Sequence, residues 1–166
     1  MVTVRLSQSR AMRGSVSTDA RGRLGEGTYR GHMAHQLMFD PDDPVLKQFR
    51  EIALSFPEAQ EKVSHGRPTF FTKKIFAYFG AAEKHVTGEL EQHPHAMLVL
   101  LEPMDAEVML ERSNTFVPMY LGPTGWIGVE LADLDAGEIR ELLADSYRST
   151  APVRLARMVA DDLAGD

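Results

Sequence analysis

Segment 62–84 carries the residue types best suited to binding an anion. It holds five basic side chains against one acidic residue, Glu83, and five aromatic residues are interleaved among them. Such a segment can contact a phosphate backbone and stack on bases. Alternatively, the aromatic residues bury one face of a strand and the lysines solvate a turn. Both readings are open for its basic residues, which are Lys62, Arg67, Lys73, Lys74 and Lys84.

His65, beside Gly66 and Arg67, is the best candidate for a catalytic side chain. However, no nucleophile, carboxylate dyad or glycine-rich phosphate loop accompanies it at a readable spacing. Ser64 is adjacent, but neighbouring strand residues point to opposite faces, so we expect no Ser64–His65 pair. We therefore predict no catalytic residue and favour a protein that is not an enzyme, with His65 capping a turn through the backbone.

Tyr120 and Trp126 stand on either side of the Gly-Pro-Thr-Gly turn at 122–125. Aromatic residues on neighbouring strands stabilise a sheet by packing across it. They can also form the floor of a small-molecule pocket, in which Arg67 would hold an anionic group. Both interpretations are open, and a cleft near Tyr120, Trp126, His65 and Arg67 is a candidate binding site.

Three histidines, His85, His93 and His95, could in principle gather a metal ion. A metal site needs further fixed ligands and an outer shell that orients them, and a loop supplies neither. We therefore predict no metal site and no cofactor.

Composition restricts the class of protein. The chain has 166 residues, 43% of them hydrophobic and 25% charged, which suits one globular domain. The absence of cysteine excludes disulfides and thiolate chemistry. No apolar run approaches the roughly 20 residues of a membrane helix, and we see no secretory signal. We expect a cytoplasmic protein with no membrane partner.

Charge divides the chain into two parts. Residues 1–36 contain six arginines against two acidic residues and are rich in Ser and Gly, so we expect a disordered extension. This extension is either a basic arm that contacts phosphates or a dispensable segment. The remaining residues carry 12 basic and 22 acidic side chains, and an acidic body disfavours nucleic acid unless its positive charges share a face.

The elements that must position these residues follow from periodicity and turn signals. A helix is predicted after the capping aspartates at 40–43 and ends at Pro57. Runs 69–72 and 75–79 form a hairpin, 80–94 a loop, and 96–101 a central strand. A short helix follows at 103–112, capped by Asp105. A second hairpin joins 116–121 to 126–131, and two helices begin near Asp135 and after Pro152. This order predicts an α+β fold, an antiparallel sheet covered by helices on one face.

Four groups of residues in this order are similar to one known family. They are His-Gly-Arg-Pro-Thr-Phe at 65–70, Lys-Ile-Phe-Ala at 74–77, the two halves of the second hairpin at 118–122 and 125–129, and 142–143 with 146–148. The chain thereby resembles the YjbR/MmcQ-like family of small bacterial proteins over residues 42–157. The resemblance implies a frataxin-like (CyaY-like) two-layer sandwich and DNA binding through a double wing of hairpins.

We therefore predict that residues 37–166 form a single binding domain. Its expected partner is nucleic acid, bound weakly and in a salt-sensitive manner by the 62–84 hairpin. The alternative is a small anionic ligand or a protein partner in the cleft. The predicted binding residues are His65, Arg67, Lys73, Lys74, Lys84, Tyr120 and Trp126.

Overall fold

The structure is a computed structural model that describes residues 36–164, and it describes side chains as far as residue 159. The predicted extension at 1–36 lies outside this range except for Gln36. The helices are α1 (Pro44–Leu54), α2 (Pro103–Leu110), α3 (Ala136–Thr150) and α4 (Val153–Ala164). The strands are β1 (Gln60–Ser64), β2 (Arg67–Phe71), β3 (Ile75–Lys84), β4 (Leu90–Leu100), β5 (Thr115–Phe116) and β6 (Trp126–Glu130).

The six strands form one antiparallel sheet in the order β1-β2-β3-β4-β6-β5. The predicted α+β fold is confirmed, and the apolar run predicted as a central strand at 96–101 lies in β4 as far as Leu100. None of the helices within residues 36–164 is both long and apolar enough to span a lipid bilayer.

The main core lies between one face of the sheet and the helices. Inward side chains of all four helices join the strand residues of that face in a single buried cluster, so the helices cover one face, as predicted. Tyr147 of α3 is fully buried against Phe56 and Phe76, and its hydroxyl donates to the carbonyl of Pro57 at 2.6 Å. The cluster includes Leu46, Phe49, Phe70, Phe79, Met97, Val99, Ile127, Val129, Met109, Ile139, Leu143 and Leu155.

The opposite face of the sheet carries a smaller apolar cluster of its own. Trp126 is nearly buried there and meets Tyr78 edge-on, with ring centroids 5.2 Å apart. Phe116 lies across the bare backbone of Gly128, where a Cβ atom would come within 2.2 Å of the ring. This face therefore carries aromatic side chains, and its apolar cluster contains no residue of the four described helices.

The loop predicted at 80–94 is wrong. Residues 80–94 are mostly strand, because Gly80 with φ of 76° forms a bulge inside β3 and Pro94 lies where the β3–β4 pairing is interrupted. Only the turn around Gly88 matches the predicted loop. The polar strand β1, at the edge of the sheet, was not predicted.

The segment predicted as strand 116–121 ends after Phe116. A 3-10 helix, Gly122–Thr124, then occupies the turn. Gly122 approaches Val117 so closely that a Cβ atom would lie 2.4 Å from its side chain, which shows how tightly the chain folds back. The α2 boundary was close, but Glu102 occupies the N-cap position and Asp105 lies in the first turn.

Candidate ligand cleft

A cleft of about 570 Å³ opens on the sheet face that carries Tyr78. One wall is formed by the β1–β2 turn, and the opposite wall by residues 118–121. That second wall reaches the sheet because the Met119 N–H donates to the Ala82 carbonyl at 2.9 Å and Pro118 forms a bridge with Glu83. The lining residues are Met38, Ser64, His65, Arg67, Tyr78, Gly80, Ala81, Ala82, Leu98, Pro118, Met119, Tyr120 and Leu121.

Arg67 is the charged group of this cleft, and the bulge in β3 makes room for it. A Cβ atom on Gly80 would lie 2.4 Å from Nη1 of Arg67, so the guanidinium occupies space that only glycine leaves free. Its Nη2 donates to the Ala81 carbonyl at 3.2 Å and to Oε1 of Gln92 at 2.8 Å. Both acceptors are neutral.

The charge of Arg67 is poorly compensated. Among residues 36–159, whose side chains the structure describes, no carboxylate forms an ion pair with it. Burial lowers the pKa of Arg67 because the charged guanidinium loses part of its hydration. A half-buried cation whose hydrogen-bond partners are neutral is well suited to bind an anion.

His65 and Ser64 stand at the mouth of the cleft. His65 has φ of 51°, so it belongs to the turn and not to a strand. Its Nδ1 lies 3.1 Å from the Ser64 hydroxyl oxygen, so the expectation that the two side chains would not meet is wrong. The alternation of faces on which it depended holds only inside a strand. The turn is further fixed by segment 36–38, since the Met38 N–H donates to the Gly66 carbonyl at 2.8 Å.

Tyr120 and Trp126 have different positions. Tyr120 is 80% exposed and lines the cleft, whereas Trp126 is 9% exposed, lies outside the cleft and contacts Tyr78 edge-on. Burial raises the pKa of Tyr78, so its phenol stays neutral and can donate a hydrogen bond into the cleft at neutral pH. The structure thus brings His65, Arg67 and Tyr120 to one cleft, with Trp126 in its supporting layer.

The three lysines predicted to bind the ligand lie outside the cleft. Lys73 and Lys74 are exposed in the β2–β3 turn, and Lys84 is exposed at the other end of β3. Ten strand residues at about 3.3 Å each separate those ends by roughly 30 Å. Lys62 lies over the ring of Phe71 at 4.8 Å on the edge strand. The basic residues of the 62–84 segment therefore do not form one compact patch.

Sequence reasoning missed several members of the cleft. Gly80 was assigned to a loop, and Tyr78 was counted only among the aromatic residues of the hairpin. Gln92 gave no signal as a partner of Arg67, because the contact depends on the β3–β4 register, which pairs Ala82 with Gln92. Gly80, which follows an aromatic strand run, was the local sign of a bulge.

Comparison with known proteins places the chain in a family. The structure of Deinococcus radiodurans protein DR2400, described with a DUF419 domain, is 16% identical, and the match covers 72% of this chain and 87% of that one with a TM-score of 0.49. No curated protein matches the chain. The family model described as YjbR matches residues 54–149. Because that match extends over more than half of the sequence, the chain belongs to the YjbR family.

Proposed function

We propose that the domain binds a small anionic ligand in the cleft beside Arg67. The observation that carries the proposal is the half-buried guanidinium, which donates only to neutral oxygens of Ala81 and Gln92. A carboxylate or phosphate reaching it would form charge-assisted hydrogen bonds in a partly desolvated setting, where such bonds are stronger than in water.

The remaining lining suits the non-ionic part of such a ligand. Tyr78, Leu98 and Leu121 offer apolar surface, and the exposed ring of Tyr120 can close over a bound molecule. A mostly apolar cleft with a few convergent polar groups is the usual form of a small-molecule site. The Ser64 hydroxyl and the His65 ring add polar groups at the mouth.

A thermal-shift screen with phosphate and carboxylate metabolites tests this proposal. A ligand present at 100 times its dissociation constant stabilises the folded state by about 2.7 kcal/mol, which a melting curve detects easily. We expect Arg67→Gln to weaken the binding of any hit by about tenfold or more, since hydrogen bonds to a charged group contribute roughly 1.5–3 kcal/mol.

Arg154→Gln is the matched control, because Arg154 pairs with Glu58 on the surface and lies outside the cleft. It should leave ligand affinity unchanged. A hit that binds Arg67→Gln as tightly as the parent protein would contradict the proposal, as would a panel without any stabilising anion.

Nucleic-acid binding is a second candidate, which the exposed lysines of the β2–β3 turn favour. Lys73 and Lys74 project from the tip of a hairpin, as a wing that contacts phosphates would require. This candidate concerns a different surface from the cleft. A metabolite that stabilises the protein without a shift of DNA selects the cleft, and the reverse result selects the hairpin.

A further inference from the structure

A second group of titratable side chains lies at the far end of the β3–β4 hairpin, and none of its members lines the cleft. Glu83 stands directly opposite Glu91 in the strand register. One possible ligand atom each from Glu83, His85 and Glu91 lies within 4.8 Å of the others. Nε2 of His85 is 2.8 Å from Oε2 of Glu91.

Two carboxylates directly opposite each other destabilise a strand pair unless a cation lies between them. Lys84 follows Glu83 in the strand, so its side chain leaves from the other face of the sheet and does not supply that charge. Within the group, the imidazole of His85 is the side chain that can place a positive charge beside these two carboxylates.

His93 is the independent sign that this group is built to bind a cation. It is 9% exposed, and its Nε2 atom is buried with no hydrogen-bond partner among the residues that the structure describes. That atom points toward the acidic group, with Oε2 of Glu83 at 3.6 Å. Leaving a buried polar atom without a hydrogen bond costs about 1–3 kcal/mol, so an ion bound between Nε2 and Glu83 would remove that cost.

The opposite nitrogen of the ring sets the tautomer of His93. Nδ1 lies 2.5 Å from Oε1 of Glu130, so the proton sits on Nδ1 and is donated to that carboxylate. The ring is also stacked on Phe116, with centroids 3.9 Å apart. In the neutral ring with its proton on Nδ1, Nε2 carries the lone pair that a metal ion binds, as in the carboxylate–histidine pairs that orient metal ligands. A direct bond from a protonated Nε2 to Glu83 is disfavoured by the distance of 3.6 Å.

We propose that Glu83, His85, Glu91 and His93 bind one divalent transition-metal ion of the zinc class, with Glu130 positioning His93. Two imidazole nitrogens with carboxylate oxygens suit zinc and its first-row neighbours, whereas calcium and magnesium prefer oxygen ligands alone. This site differs from the metal-free expectation drawn from sequence, because the three histidines were assigned to an unstructured loop.

Calorimetric titration of the full, chelator-treated chain with zinc chloride tests the proposal. We expect one saturable ion per chain, with affinity lowered about tenfold or more by His85→Asn and by His93→Asn. Glu130→Gln should lower it by about tenfold, the usual effect of losing an outer-shell partner. His95→Asn is the matched control, because His95 lies on the same strand but pairs with Asp43 at the start of α1.

Cobalt(II) supplies a readout that a change in stability would not move. Its paramagnetism should give large contact shifts for the ring protons of His85 and His93, which would coordinate the ion, and only smaller through-space shifts for those of His95. Circular dichroism shows whether each variant folds. Absence of saturable zinc binding overturns the proposal. Binding that survives both His85→Asn and His93→Asn also overturns it, because it would arise from other histidines such as His32 or His35.

Discussion

At the scale of single residues, Ser146 shows how one hydroxyl joins a helix to the sheet. It is fully buried in α3. Its Oγ donates to the Phe76 carbonyl at 2.6 Å and accepts from the Leu100 N–H at 2.8 Å. The pairing of Tyr78 with Leu98 would place Phe76 opposite Leu100 two residues further along, but the pairing of β3 with β4 ends at Tyr78 and Leu98. Ser146 therefore bridges two backbone groups that the strands leave apart.

Ser146→Ala should lower the free energy of unfolding by about 2 kcal/mol, because it leaves a buried carbonyl and a buried N–H without a partner. Urea unfolding followed by circular dichroism measures the change. Ser149 lies three residues after Ser146 in the same helix but is exposed, so Ser149→Ala is the control. It should change stability by less than about 0.5 kcal/mol. Equal losses in the two variants would refute the bridging role of Ser146.

At the scale of elements, the sequence predicted those whose pattern is local. The α1 stripe ending before Pro57 and the Asp135–Glu138 capping box both lie where the periodicity and cap signals put them. The start of β4 was missed because residues 91–95 are mostly polar and include a proline, although pairing of residues 90–93 with β3 makes the segment strand. Strand pairing depends on two segments, so the sequence of one segment alone does not predict it.

The candidate cleft was predictable only in part for the same reason. His65 and Arg67 are neighbours in sequence, so their proximity could be foreseen. Tyr120 joins them because residues 118–121 cross to β3, where the Met119 N–H donates to the Ala82 carbonyl at 2.9 Å. These two residues are 37 positions apart, and no sequence pattern indicates their contact. The neutral partners of Arg67 depend likewise on the β3 bulge and the β3–β4 register.

Asp43 links the first helix to the sheet through its charge. It caps α1 by accepting from the Val45 N–H at 2.8 Å and lies 2.6 Å from Nε2 of His95 on β4. Burial alone would raise the pKa of Asp43, but these hydrogen bonds and the positive charge of His95 outweigh it and hold the pKa below its ordinary value of 3.8. The folded state therefore binds this proton less readily than the unfolded state, and Asp43 stabilises the fold at pH values above that ordinary value.

Asp43→Ala should lower the free energy of unfolding by about 1 kcal/mol at neutral pH, the usual effect of losing an N-cap. The difference from the parent protein should shrink as the pH falls below about 4, because the carboxyl is then increasingly protonated in both states. Urea unfolding at neutral and acidic pH measures it. Asp42→Ala removes a neighbouring, 90% exposed side chain and should change little at either pH. A loss for Asp43→Ala that is independent of pH would contradict the charge argument.

At the scale of the whole molecule, the distribution of charge limits what the surface can bind. The chain carries a net charge of −6, and residues after 36 hold 22 acidic against 12 basic side chains. Such a body repels a polyanion except where positive charges are concentrated. Arg67 is half buried and engaged, and Lys84 is a strand length away from Lys73 and Lys74. A small anion needs one such cation, whereas duplex DNA needs several on one surface.

Any binding of duplex DNA by the full chain should accordingly be weak and should fall steeply as salt rises. A gel shift at about 50 mM salt, repeated near physiological ionic strength, measures this dependence. Lys73→Glu combined with Lys74→Glu should abolish the shift and flatten the salt slope, because both phosphate contacts of the hairpin tip are replaced by repulsion. Lys84→Glu is the control for a single change of charge at the other end of β3, and it should have the smaller effect. Binding that is unchanged in the double variant would exclude the hairpin as the interface. Absence of binding at the lower salt would exclude DNA as the partner. The Arg67 cleft would then be the surface on which to look for a ligand.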